Sequence, residues 1–264
     1  MRLLPGAEPF HHISQDASRR GAEVGVLLCH GFTGSPQSLR PWAEALAARG
    51  HTVSLPLLPG HGTRWQDMAV TGWPDWYATV HRELLLLAER CERVVVCGLS
   101  MGGALALRLA ARQPGNVSAL ALVNPALTFP AAKGAALAVL RHLVPSTPGL
   151  VGDIARPGVR EVGYDRVPSR AAHSLRELLS LVRDELPQVT QPLLLMHSAV
   201  DHVVPPTDSA LLLARVSSLD VREVVLTESF HVATLDHDAE RILQETDAFI
   251  TRLVTSPRDK EVSP

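Results

Sequence analysis

The stretch VVVCGLSMGGALAL, residues 94–107, constrains this chain more than any other. Three valines and a cysteine in a row read as a strand buried on both faces. A helix rich in alanine and leucine follows at once. Between them stands one serine among glycines, Gly98-Leu99-Ser100-Met101-Gly102. A serine that must stand clear at the end of a strand takes a strained backbone conformation, and small neighbours at Gly98 and Gly102 let other chain pass close by. Gly103 would let the helix pack tightly on the strand. The helix also turns its free N–H groups and positive dipole end toward the serine. The same residues fit a plain small-residue turn equally well, so their meaning rests on what surrounds them.

The surroundings alternate in type. Strands are expected over 23–29, 51–57, 93–98 and 117–124, and helices over 35–50, 74–90 and 101–112. From about 125 to 187 no strand is expected; two helices, over 131–143 and 169–186, flank a piece rich in proline and glycine. Strands then return over 192–198 and 221–227, with helices near 208–216 and 238–253. Strand and helix in alternation, with continuously apolar strands, predict an α/β fold: a mostly parallel, doubly wound sheet covered on both faces. The expected division is a core of residues 1–124 and 188–254, a helical insertion over 125–187, and a disordered tail over 255–264.

A serine is a poor nucleophile until a base takes its proton, and an imidazole base needs a carboxylate to fix its tautomer and steady its charged form. After a strand–serine–helix turn these partners belong on later loops, acid first and histidine second. Asp201 follows the strand over 192–198, and His231 follows the strand over 221–227. Asp201 also fits a helix or turn cap. His202, its neighbour, comes too early in the chain to be the base. Asp236 and Asp238 are rival acids, better read as the cap and first-turn charges of the closing helix; Glu228 ranks below them. An anion hole completes the set. The HGFTGS turn, residues 30–35, can aim the backbone N–H of Phe32 at a substrate oxygen, and Met101, next after the serine, supplies the second N–H. His30 reads as a residue that holds this loop by hydrogen bonds.

Bulk properties exclude other classes. The 264 residues carry a formal net charge of -2, with no basic surface for nucleic acid. The tryptophans, Trp42, Trp65, Trp73 and Trp76, have no basic partners around them and read as packing residues. Cys29, Cys91 and Cys97 show no metal-ligand spacing and read as small core hydrophobes. No apolar run reaches the length of a membrane span, and residues 1–12 hold no signal core. A cytoplasmic protein, monomeric or weakly dimeric, with no membrane insertion, no metal and no organic cofactor, is expected.

The segments HGFTGSP, LPGHGT, GLSMGG, DHVVPP and SFHVATLD together resemble the α/β-hydrolases, and among them the small bacterial carboxylesterases and monoacylglycerol lipases. The resemblance runs from about residue 24 to 250. It implies Ser100, Asp201 and His231 as a catalytic triad, Phe32 and Met101 as oxyanion donors, and the insertion as a small cap over the site. It implies a small-molecule ester of short to medium acyl chain, with thioesters, other acyl transfer and carbon–carbon hydrolysis as alternatives, and a hydrolase-fold binding protein as the reading from another class. In the monoacylglycerol lipases a polar cap residue recognises the glycerol hydroxyls. Glu161 lies in that region here, though a solvated loop charge is the favoured reading. Phe32 and cap leucines such as Leu137, Leu140, Leu143 and Leu175 are candidates to touch an acyl chain.

Overall fold

The computed structural model describes residues 2–14, 24–129, 141, 143–149 and 151–255. Residues 131–140 of the predicted helix over 131–143, with Leu137 and Leu140, and the tail after 255 lie outside the described residues. The strands are β1 (Phe10–His12), β2 (Val24–Cys29), β3 (Thr52–Leu55), β4 (Arg93–Leu99), β5 (Ala119–Val123), β6 (Ser146–Pro148), β7 (Arg166–Pro168), β8 (Leu193–Ser198) and β9 (Val221–Leu226). The helices are α1 (Arg40–Ala48), α2 (Trp65–Met68), α3 (Trp73–Ala88), α4 (Met101–Arg112), α5 (Ser169–Glu185), α6 (Pro206–Arg215) and α7 (Ala239–Thr255).

Among the described residues, seven strands form one sheet in the order β1-β3-β2-β4-β5-β8-β9. All neighbours run parallel except β1, which pairs antiparallel with β3. Alternate residues of each strand feed opposite cores, as the twofold period of a strand requires. Leu27, Val96, Leu120 and Leu195 face α3, α4 and α5, where Trp76, Leu84, Leu109 and Leu178 are buried. Val26, Cys97, Ala121 and Met196 face α1 and α7, where Trp42, Leu46, Phe249 and Ile250 are buried. Helices on both faces explain why these strands read as unbroken apolar runs. Helix α3 starts where Pro74 costs no hydrogen bond, and Asp75 accepts the N–H of Gly72 at 2.9 Å.

The expectation of no strand between 125 and 187 is corrected by the hairpin of β6 and β7, a two-stranded antiparallel pair. Each has three residues, too few to show a period. Helix α5 is fixed to the core: Arg108 of α4 reaches Glu185 at 2.7 Å and lies over the Trp73 ring at 4.9 Å, and Trp73 N–H donates to Ser174 at 2.9 Å. Between β6 and β7 runs a strap, residues 151–165, bonded to the loops after β2 and β9: Tyr164 N–H donates to the Thr33 carbonyl and Val232 N–H to the Asp153 carbonyl. Among the described residues, no helix is long and apolar enough to cross a membrane.

Candidate active site

The sheet brings its C-terminal strand ends to one edge, the place where an open parallel sheet presents its loops. Ser100 sits at the end of β4 with φ 57° and ψ −119°, a conformation that a residue with a side chain holds only under strain. The surrounding chain enforces it. Ser100 N–H donates to the Val123 carbonyl at 3.1 Å, and its own carbonyl accepts from Gly103 at 2.9 Å and Ala126 at 3.1 Å. A Cβ on Gly102 would fall 1.8 Å from the Cys29 carbonyl oxygen, and one on Gly98 would fall 2.4 Å from that of Gly102. Only glycine fits at either place. Helix α4 begins at Met101, whose N–H therefore has no partner inside the helix.

His231 and Asp201 come from the loops after β9 and β8. The His231 Nδ1 donates to Asp201 Oδ2 at 2.8 Å, with side chains 8% and 5% exposed. The other oxygen, Oδ1, accepts the N–H groups of Val203 and Val204, both at 2.8 Å. Burial pushes the Asp201 carboxyl up, but the His231 hydrogen bond and charge, with the Val204 and Val203 N–H groups, outweigh it and leave the pKa below the ordinary value. The aspartate stays ionised and fixes the tautomer that keeps His231 Nε2 free to accept.

Ser100, His231, Phe32 and Met101 line one cavity of about 220 Å³. Its remaining wall is mostly apolar, with Ala126, Phe129, Val167, Leu175, Leu179 and Val204. Leu143 lies elsewhere, 75% exposed. The Phe32 ring packs edge-on against Trp76 and His61, with centroids 5.8 and 6.5 Å away. His30 is fully buried; its Nδ1 donates to the Gly31 carbonyl at 3.0 Å and its Nε2 accepts Leu58 N–H at 3.2 Å, tying the Phe32 loop to the chain after β3. Thr33, at φ 63°, is held by Tyr164 N–H on its carbonyl at 2.9 Å.

Burial lowers the His30 pKa to about 4, and burial with the charge of His30 lowers that of His61 to about 3. Both stay neutral in the fold and take protons more readily in the unfolded chain. Their shifts therefore cost nothing above about pH 6.5 and remove stability as pH falls from there toward 4. Thermal melts are expected to show a drop in Tm across that window, and His61→Phe, which keeps an aromatic ring, should flatten part of it.

Glu161 is not the solvated loop charge expected. The strap sets it in the cavity wall, partly buried. Its Oε2 accepts Gly152 N–H at 3.2 Å, and a Cβ on Gly34 would sit 2.7 Å from its Oε1. Burial pushes its pKa up, opposed by the Gly152 N–H and by His231. Of the rival acids, Asp238 stands just before α7 as expected, its carbonyl accepting Ile242 N–H at 2.9 Å, while the Asp236 side chain departs from a cap's role. Asp236 accepts N–H groups from Ala155, Arg156, Phe230 and His237 at 2.7 to 3.0 Å, so its side chain ties the strap to the His231 loop. Asp238 accepts from Glu228 N–H at 2.9 Å. Two residues went unremarked in the sequence. Asn124 (φ 44°) donates to the His231 carbonyl at 2.8 Å and accepts Ser198 N–H at 2.7 Å, and Asp153 accepts His231 N–H at 3.1 Å. Among the described residues, no group of three or more His, Cys, Asp or Glu is arranged to hold a metal ion.

The sequence profile of the alpha/beta hydrolase family matches residues 26–245. A thermostable monoacylglycerol lipase of Bacillus sp. (strain H-257) is 38% identical over 250 residues, covering 95% of this chain and 96% of that protein. A carboxylesterase of Bacillus subtilis (strain 168) is 27% identical over 237 residues, covering 89% of this chain and 95% of that protein. A solved structure from work on LipS and LipT, two metagenome-derived lipolytic enzymes, superposes with a TM-score of 0.89 at 39% identity, covering 95% of this chain and all, 100%, of that one.

Proposed function

The chain belongs to the alpha/beta hydrolase family, and from that footing we propose that it hydrolyses monoacylglycerols of short to medium acyl chain through an acyl-enzyme on Ser100. It is an ester-hydrolysing serine hydrolase. The observation that carries the finer reading is one mostly apolar cavity holding Ser100, the Asp201-bound His231 and, on its strap wall, two carboxylates: Asp153, which accepts from His231 N–H and His202, and Glu161.

In the proposed cycle His231 Nε2 takes the Ser100 proton as Ser100 Oγ attacks the ester carbonyl. The N–H groups of Phe32 and Met101 hold the oxyanion, each worth ~3 kcal/mol in the transition state. His231 then gives its proton to the departing alcohol. A water enters, loses a proton to His231 and releases the acid, restoring Ser100. The apolar wall takes the acyl chain, and Glu161 accepts hydrogen bonds from hydroxyls of the glycerol leaving group. The described part of the insertion over 125–187, with Phe129, Val167, Leu175 and Glu161 in the cavity wall, acts as the cap that shapes both sides. The protein is proposed to work in the cytoplasm as a monomer or weak dimer; its three free, buried thiols suit a reducing compartment.

Turnover of p-nitrophenyl esters from acetyl to lauroyl, beside monoacylglycerols and acyl-CoA thioesters of the same chains, tests this. Esters should lead, with a peak at short to medium length. A lead for thioesters would move the assignment to a thioesterase. Glu161→Gln is expected to lower kcat/KM on monoacylglycerols about 10-fold, the scale of one hydrogen bond to a charged group, and to leave p-nitrophenyl esters within about 2-fold. Equal losses on both substrates would remove Glu161 from alcohol recognition.

A further inference from the structure

Among the described residues, His231 is held by hydrogen bonds from three different parts of the chain. Asp201 Oδ2 takes the ring at Nδ1, 2.8 Å away. Asn124, at the end of β5, donates to the His231 carbonyl at 2.8 Å. The third arrives from the strap, where Asp153 Oδ2 accepts the His231 N–H at 3.1 Å. The same carboxylate accepts from His202 twice, from Nδ1 at 2.8 Å and from the backbone N–H at 3.2 Å. His202 is the residue next to Asp201. One carboxylate thus bridges the loop of the acid and the loop of the base.

The strap is bonded on both sides of this bridge. Val232 N–H donates to the Asp153 carbonyl at 3.0 Å, and Gly152 N–H, one residue before, donates to Glu161 Oε2 at 3.2 Å. The peptide that carries Asp153 therefore also seats the carboxylate on the alcohol side of the cavity. The Asp153 side chain is only 10% exposed while His202 is 53% exposed. A carboxylate–histidine contact open to solvent on one side adds little to stability, so global stability is a poor account of this arrangement. A carboxylate that accepts from two catalytic loops does fix their spacing, and misplacement on the scale of an ångström is costly to a proton-transfer site.

We propose that Asp153 is a positioning residue for the base: by holding His231 N–H and His202 together from the strap, it makes correct placement of His231 against Ser100 depend on the seating of the segment that carries Glu161. The inference rests on the serine-hydrolase reading above. It also links the two sides of the site: Glu161 seats the strap through Gly152 N–H, a bond that the amide oxygen in Glu161→Gln can keep, and the strap steadies the base through Asp153.

The test compares wild type with Asp153→Ala, Asp153→Asn and His202→Ala on p-nitrophenyl butyrate, whose leaving group carries no alcohol hydroxyls. Sites are first counted by titration with a p-nitrophenyl phosphonate, so that kcat refers to competent enzyme and a loss of folded protein does not enter. Asp153→Ala is expected to lower kcat per titrated site about 10- to 100-fold with KM within about 2-fold. Asp153→Asn, whose amide oxygen can still accept the His231 N–H, should recover part of it, and His202→Ala should lose a smaller amount. A kcat per site within about 2-fold of wild type in Asp153→Ala overturns the proposal. If that variant does not fold, unchanged kcat per site in both Asp153→Asn and His202→Ala overturns it equally. Wild type that neither titrates nor turns over would instead remove the serine-hydrolase reading itself.

Discussion

Ser100→Ala is expected to lose turnover on every ester by about 10⁴- to 10⁶-fold, with KM little changed and the fold intact. The hydroxyl is the only group removed. Alanine keeps the Cβ that the backbone at φ 57° already tolerates, and the bonds that enforce this turn, from Ser100 N–H to Val123 and from Gly103 and Ala126 to the Ser100 carbonyl, are all main-chain. Nothing that builds the elbow depends on the hydroxyl, so the thermal melt should match wild type. The cavity wall and both oxyanion donors remain, which is why substrate binding should survive and a small residual rate above water is expected. Steady-state kinetics on p-nitrophenyl butyrate beside a thermal melt checks both halves.

Asp201→Asn is expected to cost about 10⁴-fold in kcat with the fold retained. The reason lies in the oxygen that does not face the histidine. Oδ1 accepts Val203 and Val204 N–H at 2.8 Å each, and an asparagine must keep its carbonyl oxygen there or leave two N–H groups unanswered. Its NH2 is then forced toward His231 Nδ1, where Oδ2 accepted before at 2.8 Å. The imidazole must accept at Nδ1 and carry its proton on Nε2, the tautomer that cannot take a proton from Ser100. Asp201→Ala removes the carboxylate without imposing the wrong tautomer, so the asparagine variant is expected to be no faster than the alanine one. The kcat values of the two variants, measured side by side at neutral pH, decide this.

What the sequence made legible follows from how local each signal is. Strands β2, β4, β5 and β8 announce themselves because burial on both faces makes their central residues an apolar run. Ser100 and Asp201 stand out because each follows such a run closely, where the fold puts its loops; His231 follows β9, an edge strand that is mostly exposed, and is marked by its place after the acid in chain order. β1 did not, since its three residues are Phe10, His11 and His12 and its strand character comes only from pairing with β3. The β6 and β7 hairpin was equally silent: STP and RVP each contain a proline and show no alternation. The strap over 151–165 has neither period, because its shape is set by distant partners such as Asp236, Thr33 and Gln37. That is why Glu161 read as a solvated charge. Its surroundings, Gly34, Gly152 and His231, are assembled only in three dimensions. Asp236 misled for a related reason. It does precede α7, as a cap would, yet its carboxylate turns back to the strap and the His231 loop.

The central claim is that acyl transfer runs through Ser100, and mass spectrometry of the phosphonate-treated protein tests it most directly. The predicted result is a single adduct per chain, located on the peptide that contains Ser100, appearing in step with the loss of esterase activity. An adduct on a different residue, or full inactivation-resistant turnover with no adduct, would contradict the account.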